Sequence, residues 1–305
     1  IRDSATIARM KTRNIAPFVL AITLASAAGG MPEVVGEVKR LGTDMKFTEG
    51  PVWIEKESRL VFSDIPTSRQ MEWTAEGGVK EWRKVEASNG NLLDLEGRLL
   101  SCQHGGRNVI RTGGDGSITV LADKFEGKKF NSPNDLAIKS DGTIWFTDPS
   151  YGLKGRDAEI PGKWVYRLSP DGEVTVVCKT FDMPNGIAFS PDEKRVYIAD
   201  TGRIGTIRAY EVVGEGLLGE PLIEIGIRCD GMCVDTEGRI YTTSRGGIHV
   251  FDSKGKKLGI IETPEHPANV CFGGPEFDTL FITARKSLYS VKVKAKGALP
   301  KSSKG

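Results

Sequence analysis

From about residue 34 onward the chain strings together short apolar stretches separated by turn residues, and one arrangement recurs six times. Each copy is a polar residue, a short alternating apolar strand, a turn and a second apolar strand. The copies read EGPVWIEKESRLVFSD from Glu49, NGNLLDLEGRLLSCQ from Asn89, NDLAIKSDGTIWFTD from Asn134, NGIAFSPDEKRVYIAD from Asn185, DGMCVDTEGRIYTTS from Asp230 and ANVCFGGPEFDTLFITA from Ala268. Between copies lie two more strand-like runs, as at Trp164 to Leu168 and Val174 to Cys178, joined by the turn Ser169-Pro170-Asp171-Gly172. Gly and Asp at such positions supply the tight-turn geometry that joins antiparallel strands. Four strands recurring every 40 to 50 residues or so are the signature of a propeller blade. The pattern predicts an all-β, six-bladed β-propeller with four antiparallel strands per blade. The last copy is followed by only one further strand, over Lys286 to Val293. The N-terminal run Val34 to Leu41 is therefore expected to supply the missing outermost strand and close the ring.

In a propeller the innermost strands surround a central channel, so the residues that lead them form a ring at one channel mouth. Here they are Glu49, Asn89, Asn134, Asn185, Asp230 and Ala268. Asn-Gly and Asp-Gly are also common turn dipeptides, and each one singly reads as a turn. Oxygen donors at one register in five of six copies read instead as a set. Carboxylates mixed with carboxamides are what a hard cation such as calcium takes. Zinc fits less well, since the ring offers neither histidine nor cysteine.

The first residues add a second theme. Lys11 and Arg13 after Met10, an apolar run from Ile15 to Leu24, and Ala25-Ser26-Ala27 have the order of a secretory signal. The apolar run is shorter than a membrane-spanning helix needs. The expected division is a leader and signal over 1–27 and one propeller domain over 28–305, exported to the periplasm or secreted, with no membrane attachment after cleavage. A formal net charge of +2, from 42 basic and 40 acidic residues spread along the chain, offers no electrostatic footprint for nucleic acid. A small-molecule partner and a monomer or weak oligomer are expected. The 5 cysteines are an odd number, so at least one stays unpaired even under oxidising conditions. Cys229 and Cys233 flank Asp230 and could meet only if the strand bends.

The segments FTEGPVW, FNSPNDLAIKSDGTIWFTDPSYGL, MPNGIAFSPDEKRVYIADTG and CDGMCVDTEGRIY resemble the gluconolactonase and regucalcin (senescence marker protein) family, six-bladed propellers that include calcium-dependent hydrolases. The resemblance implies one divalent cation, calcium first with Zn2+, Mn2+ or Mg2+ as alternatives. It implies that Glu49, Asn134, Asn185 and Asp230 hold that cation, with Asp230 also catalytic and Asn134 also near substrate. It assigns Asn89 no ligand role, which leaves it a pocket or turn residue. Sugar-binding members close to regucalcin carry an arginine two residues before the asparagine that is here Asn134; this chain has Ser132. Recognition of sugar hydroxyls is then expected from His104, Arg107, Asp148 and Tyr151 in loops at the channel mouth.

The implied chemistry is hydrolysis of a sugar-acid lactone, with the cation polarising the carbonyl and Asp230 accepting a proton from water, acting as nucleophile, or serving as ligand alone. No GxSxG serine elbow occurs. A calcium-dependent phosphotriester or ester hydrolase and a noncatalytic binding propeller are the alternatives, since a fold does not fix a function.

Overall fold

The computed structural model describes residues 30–214 and 216–299. The expected leader over 1–27 lies outside them. Among the described residues six four-stranded antiparallel sheets and one small hairpin make up the fold. Blade 1 runs β2 (Thr48–Ile54), β3 (Arg59–Asp64), β4 (Arg69–Thr74) and β5 (Gly78–Lys84). Blade 2 runs β6 (Ser88–Leu93), β7 (Leu99–Gln103), β8 (Asn108–Thr112) and β9 (Ile118–Ala122). A hairpin, β10 (Lys124–Phe125) with β11 (Lys128–Lys129), precedes blade 3, which is β12 (Leu136–Ile138), β13 (Ile144–Asp148), β14 (Trp164–Leu168) and β15 (Val174–Cys178). Blade 4 is β16 (Pro184–Phe189), β17 (Arg195–Asp200), β18 (Thr206–Val213) and β19 (Leu217–Ile225). Blade 5 is β20 (Met232–Val234), β21 (Ile240–Ser244), β22 (Gly247–Phe251) and β23 (Lys257–Glu262).

Blade 6 is assembled from both ends of the chain. Its inner strands are β24 (Pro267–Gly273), β25 (Thr279–Ala284) and β26 (Ser287–Val293), and its outermost strand is β1 (Val34–Gly42), antiparallel to β26 with Val34 opposite Val293. The alternating pattern explains the sheets: one face of each strand is apolar and must be covered. The covering is the next blade. Trp53 of blade 1 stacks on Phe281 of blade 6 at 5.5 Å, Trp145 of blade 3 meets Phe189 of blade 4 at 5.2 Å, and Tyr241 of blade 5 meets Phe272 of blade 6 at 5.0 Å. The core is thus a circle of inter-blade layers, and removing any aromatic of this circle loosens two blades together.

Near the axis the inner strands approach so closely that the residue after four of the six ring positions has little room. Gly50, at φ +49, faces the main chain of Asn89 and Gly90, and Gly186 faces the main chain of Asp230. A methyl group at Gly50 would overlap the Asn89 carbonyl and force a left-handed conformation on a residue with a Cβ. Gly50→Ala is expected to cost about 3 kcal/mol of stability, read from urea unfolding.

Candidate functional site

The neighbouring blade holds the main chain of five of the six ring residues in place. The Asn89 carbonyl accepts from Ser63 Oγ at 2.7 Å, Asn134 from Gly90 N at 2.8 Å, and Asn185 from Thr147 Oγ1 at 2.8 Å. Asp230 accepts from Gly186 N at 2.8 Å, and Ala268 from Gly231 N at 2.7 Å and Thr243 Oγ1 at 2.9 Å. Five of the six ring side chains therefore leave a backbone that two blades share. This is the rigidity a site needs.

Aspartates at the ends of second strands aim three of these residues. Asp64 accepts from Lys46 N and Phe47 N, both at 3.0 Å, just before Glu49. Asp148 accepts from Asn131 N at 2.8 Å and Ser132 N at 2.7 Å, just before Asn134. Asp200 accepts from Asp182 N at 3.0 Å and Met183 N at 2.9 Å, just before Asn185. In each case the donors lie three and two residues ahead of the ring residue, so one device recurs in blades 1, 3 and 4.

This corrects one expectation. Asp148, expected to contact substrate, is fully buried with both oxygens engaged by main-chain N–H groups. Burial raises its carboxyl to about 7 despite those donors. Arg107 is a second correction: its guanidinium donates to the Phe130 and Lys129 carbonyls and pairs with Glu159 at 3.1 Å. It secures the hairpin before blade 3 and is buried there rather than open to a sugar. Ser132 is likewise structural, since its hydroxyl donates to the Pro149 carbonyl and accepts from Gly152 N at 3.0 Å, fastening the loop that carries Tyr151.

His104 and Tyr151 remain at the mouth. His104 Nε2 lies 3.2 Å from Asn89 Nδ2, and burial together with Lys154 and Arg156 lowers the imidazole to about 4. It is neutral at physiological pH, so Nε2 accepts from the amide and the proton resides on Nδ1. Asn89 Oδ1 is buried without a partner. The Tyr151 hydroxyl lies 2.5 Å from Thr201 Oγ1.

The electrostatics of the ring centre on three carboxyls, one of which sequence reasoning missed. Glu49 is raised well above the usual carboxyl range by burial, and then by Asp230 and Asp135. Asp230 is raised to about 7 by burial and by Asp135, against the opposing side-chain amide of Asn185. Asp135 itself is raised to about 6 by burial, held back by Leu136 N–H and the Asn269 amide. Asn269 Nδ2 donates to Asp135 Oδ2 at 3.3 Å across the axis and also assists Glu49. Below this bridge a cavity of about 620 Å³ follows the channel between Val52, Ala137, Ile187, Met232 and Val270 toward the opposite face. Asp135 and Asn269 line that cavity, whereas Glu49, Asn185 and Asp230 do not.

Among the described residues no three His, Cys, Asp or Glu side chains form a ready-made cation cluster. The donor set fits a hard cation nonetheless, because two of its four members are carboxamides. Glu49 and Asp230 carry charge that burial and mutual repulsion disfavour, and Asn134, 4% exposed, takes no side-chain partner among the described residues. Oxygen donors of this kind suit calcium. Cys229 and Cys233 are both free thiols, and Cys229 donates to the Gly231 carbonyl.

Fold and site together define a six-bladed propeller with a polar, carboxylate-bearing mouth on its axis. Residues 47–286 match the family described as SMP-30/Gluconolactonase/LRE-like region, and the chain belongs to that family. A gluconolactonase of Zymomonas mobilis is 31% identical over 297 residues, covering 87% of this chain and 83% of that protein. A pentonolactonase of Haloferax volcanii is 33% identical over 257 residues, covering 79% of this chain and 82% of that protein. The solved structure of a gluconolactonase from Xanthomonas campestris is 34% identical, with a TM-score of 0.78 over 88% of this chain and 96% of that chain.

Proposed function

We propose that the protein is a lactonase that hydrolyses a sugar-acid lactone at the axial mouth, using a divalent cation, calcium first, held by Glu49, Asn134, Asn185 and Asp230. The observation that carries this is the ring itself: two buried carboxylates opposed by their own repulsion beside two carboxamides, on a backbone fixed by adjacent blades. The two lactonase relatives, each covered over about four-fifths of its length, give the reaction class. When bound, the cation supplies Lewis-acid polarisation of the lactone carbonyl.

The chain supplies the rest. Asp230 takes the proton of the attacking water, with the Asn185 side-chain amide steadying its carboxylate. Neutral His104 and Asn89 offer hydrogen-bonding groups to substrate hydroxyls on one side, and Tyr151 offers a phenol on the other. A site with such groups discriminates against substrates that leave them unpaired. Calcium-loaded protein assayed on five- and six-carbon aldonolactones, on valerolactone and on one phosphotriester is expected to show the highest kcat/KM on an aldonolactone, with valerolactone lower by on the order of 100-fold. A valerolactone or phosphotriester turned over far better than every aldonolactone would overturn the sugar-acid assignment.

A further inference from the structure

Which edge a side-chain amide turns toward a cation decides whether it attracts or repels, and at Asn185 that choice is made from outside the ring. Thr201 directly follows β17, and its hydroxyl has one proton and two lone pairs. The proton goes to the main-chain oxygen of Met183 at 3.1 Å. Toward every other neighbour Thr201 Oγ1 can only accept. Those neighbours are Asn185 Nδ2 at 3.4 Å and the Tyr151 hydroxyl at 2.5 Å. Asn185 must therefore present its nitrogen edge to Thr201, and Tyr151 must donate.

With the nitrogen turned to Thr201, Oδ1 is the edge left free. Thr201 has little freedom to drift: its N–H donates to the Met183 carbonyl at 3.0 Å, and its own carbonyl accepts from Arg228. The preceding Asp200 clasps Met183 N at 2.9 Å and Gly202 N at 2.8 Å, fixing both sides of the hydroxyl.

We propose that Thr201, with Tyr151 filling its second lone pair, is a positioning residue that locks the Asn185 carboxamide with its oxygen toward a bound cation. This rests on the reading of Asn185 as a cation ligand. Partners that orient ligands in this way commonly change metal affinity by ten- to a hundredfold when removed. The role assigned to Tyr151 is accordingly broader than substrate recognition.

Calcium titrated calorimetrically into chelator-stripped protein tests this without reference to turnover. The wild type is expected to take up one calcium; Thr201→Val should raise Kd roughly tenfold, with the melting temperature of the calcium-free protein little changed. Thr201→Ser, which keeps the hydroxyl, should restore Kd to within about twofold, and Tyr151→Phe should raise it by roughly threefold. A Thr201→Val protein that binds calcium as tightly as the wild type overturns the lock and leaves the ligand set standing. No calcium uptake by the wild type overturns the ligand set, and the lock with it. Should Thr201→Val not fold, an unchanged Kd in Tyr151→Phe overturns the lock by itself.

Discussion

Replacing Asp230 by asparagine is expected to leave a folded, cation-binding protein whose kcat on an aldonolactone falls by about 10²- to 10⁴-fold. The amide keeps an oxygen for the cation but cannot accept a proton from water. The main-chain bonds that set the ring, Gly186 N to the Asp230 carbonyl and Asp230 N to the Thr243 carbonyl, do not involve the side chain. A second readout comes from the charge balance. Asp230 raises the carboxyl of Glu49, and Asp135 raises that of Asp230. Removing one member of this buried set should therefore increase the melting temperature of the cation-free protein. Near-wild-type turnover in the calcium-loaded variant would remove Asp230 as the proton acceptor.

Calcium is expected to raise the melting temperature, and to raise it more at about pH 8 than at about pH 5.5. At a hundredfold excess over Kd the stabilisation is about 2.7 kcal/mol, a shift on the order of 5–10 °C for a domain of this size. The pH dependence follows from proton linkage. In the cation-free protein the native state raises the carboxyls of Asp135 to about 6 and of Asp148 and Asp230 to about 7. Glu49 is raised as well. The native state thus retains protons that the unfolded chain has already released. This contribution to stability is complete below the unfolded values and is lost as pH rises through about 6 to 7. His104 acts in the opposite sense, since its imidazole is lowered from 6.5 to about 4, so its contribution is lost as pH falls through that interval. Below about 6.5 the single imidazole offsets only part of what these four carboxyls contribute. Above it the carboxyls act alone, and the melting temperature without calcium should fall toward pH 8. Scans in chelator and in excess calcium across this range would show both trends, and a calcium shift that shrinks with rising pH would contradict the carboxylate ligands.

The propeller was readable because each blade repeats one alternating pattern, and because counting strands after Ala268 left one place that only the N-terminal run could fill. The outer strands Trp164–Leu168 and Val174–Cys178 coincide with β14 and β15. The ring was readable for the same reason: equal register in a repeat means equal height on the axis. Asp135 went unread although its signal was present. The residue after each ring position is Gly50, Gly90, Asp135, Gly186, Gly231 and Asn269, and the two departures from glycine are the pair that bridges the channel. Asp148 was misplaced because residue type does not reveal whether a carboxylate faces solvent, substrate or main chain. Its recurrence as Asp64 and Asp200 at the ends of the corresponding strands was the available clue. Arg107 carried no such clue, since its partners Phe130, Lys129 and Glu159 come together only through the hairpin before blade 3.

The pairing of β1 with β26 makes the first strand of the fold wait for the last. A nascent chain can build blades 1 to 5 in order as they emerge, but blade 6 stays a three-stranded sheet with a bare edge until its C-terminal strands meet a segment made roughly 250 residues earlier, and that long-range closure comes late. During the interval β26 offers unpaired N–H and C=O groups, and a β1 from another molecule would fit that edge as well as its own. Exchange of β1 between chains, giving linked dimers at high concentration during refolding, is the characteristic misassembly of a ring closed in this way. Tethering the two ends through a short peptide and reopening the chain between two other blades would remove the hazard, because every blade would then be contiguous in sequence.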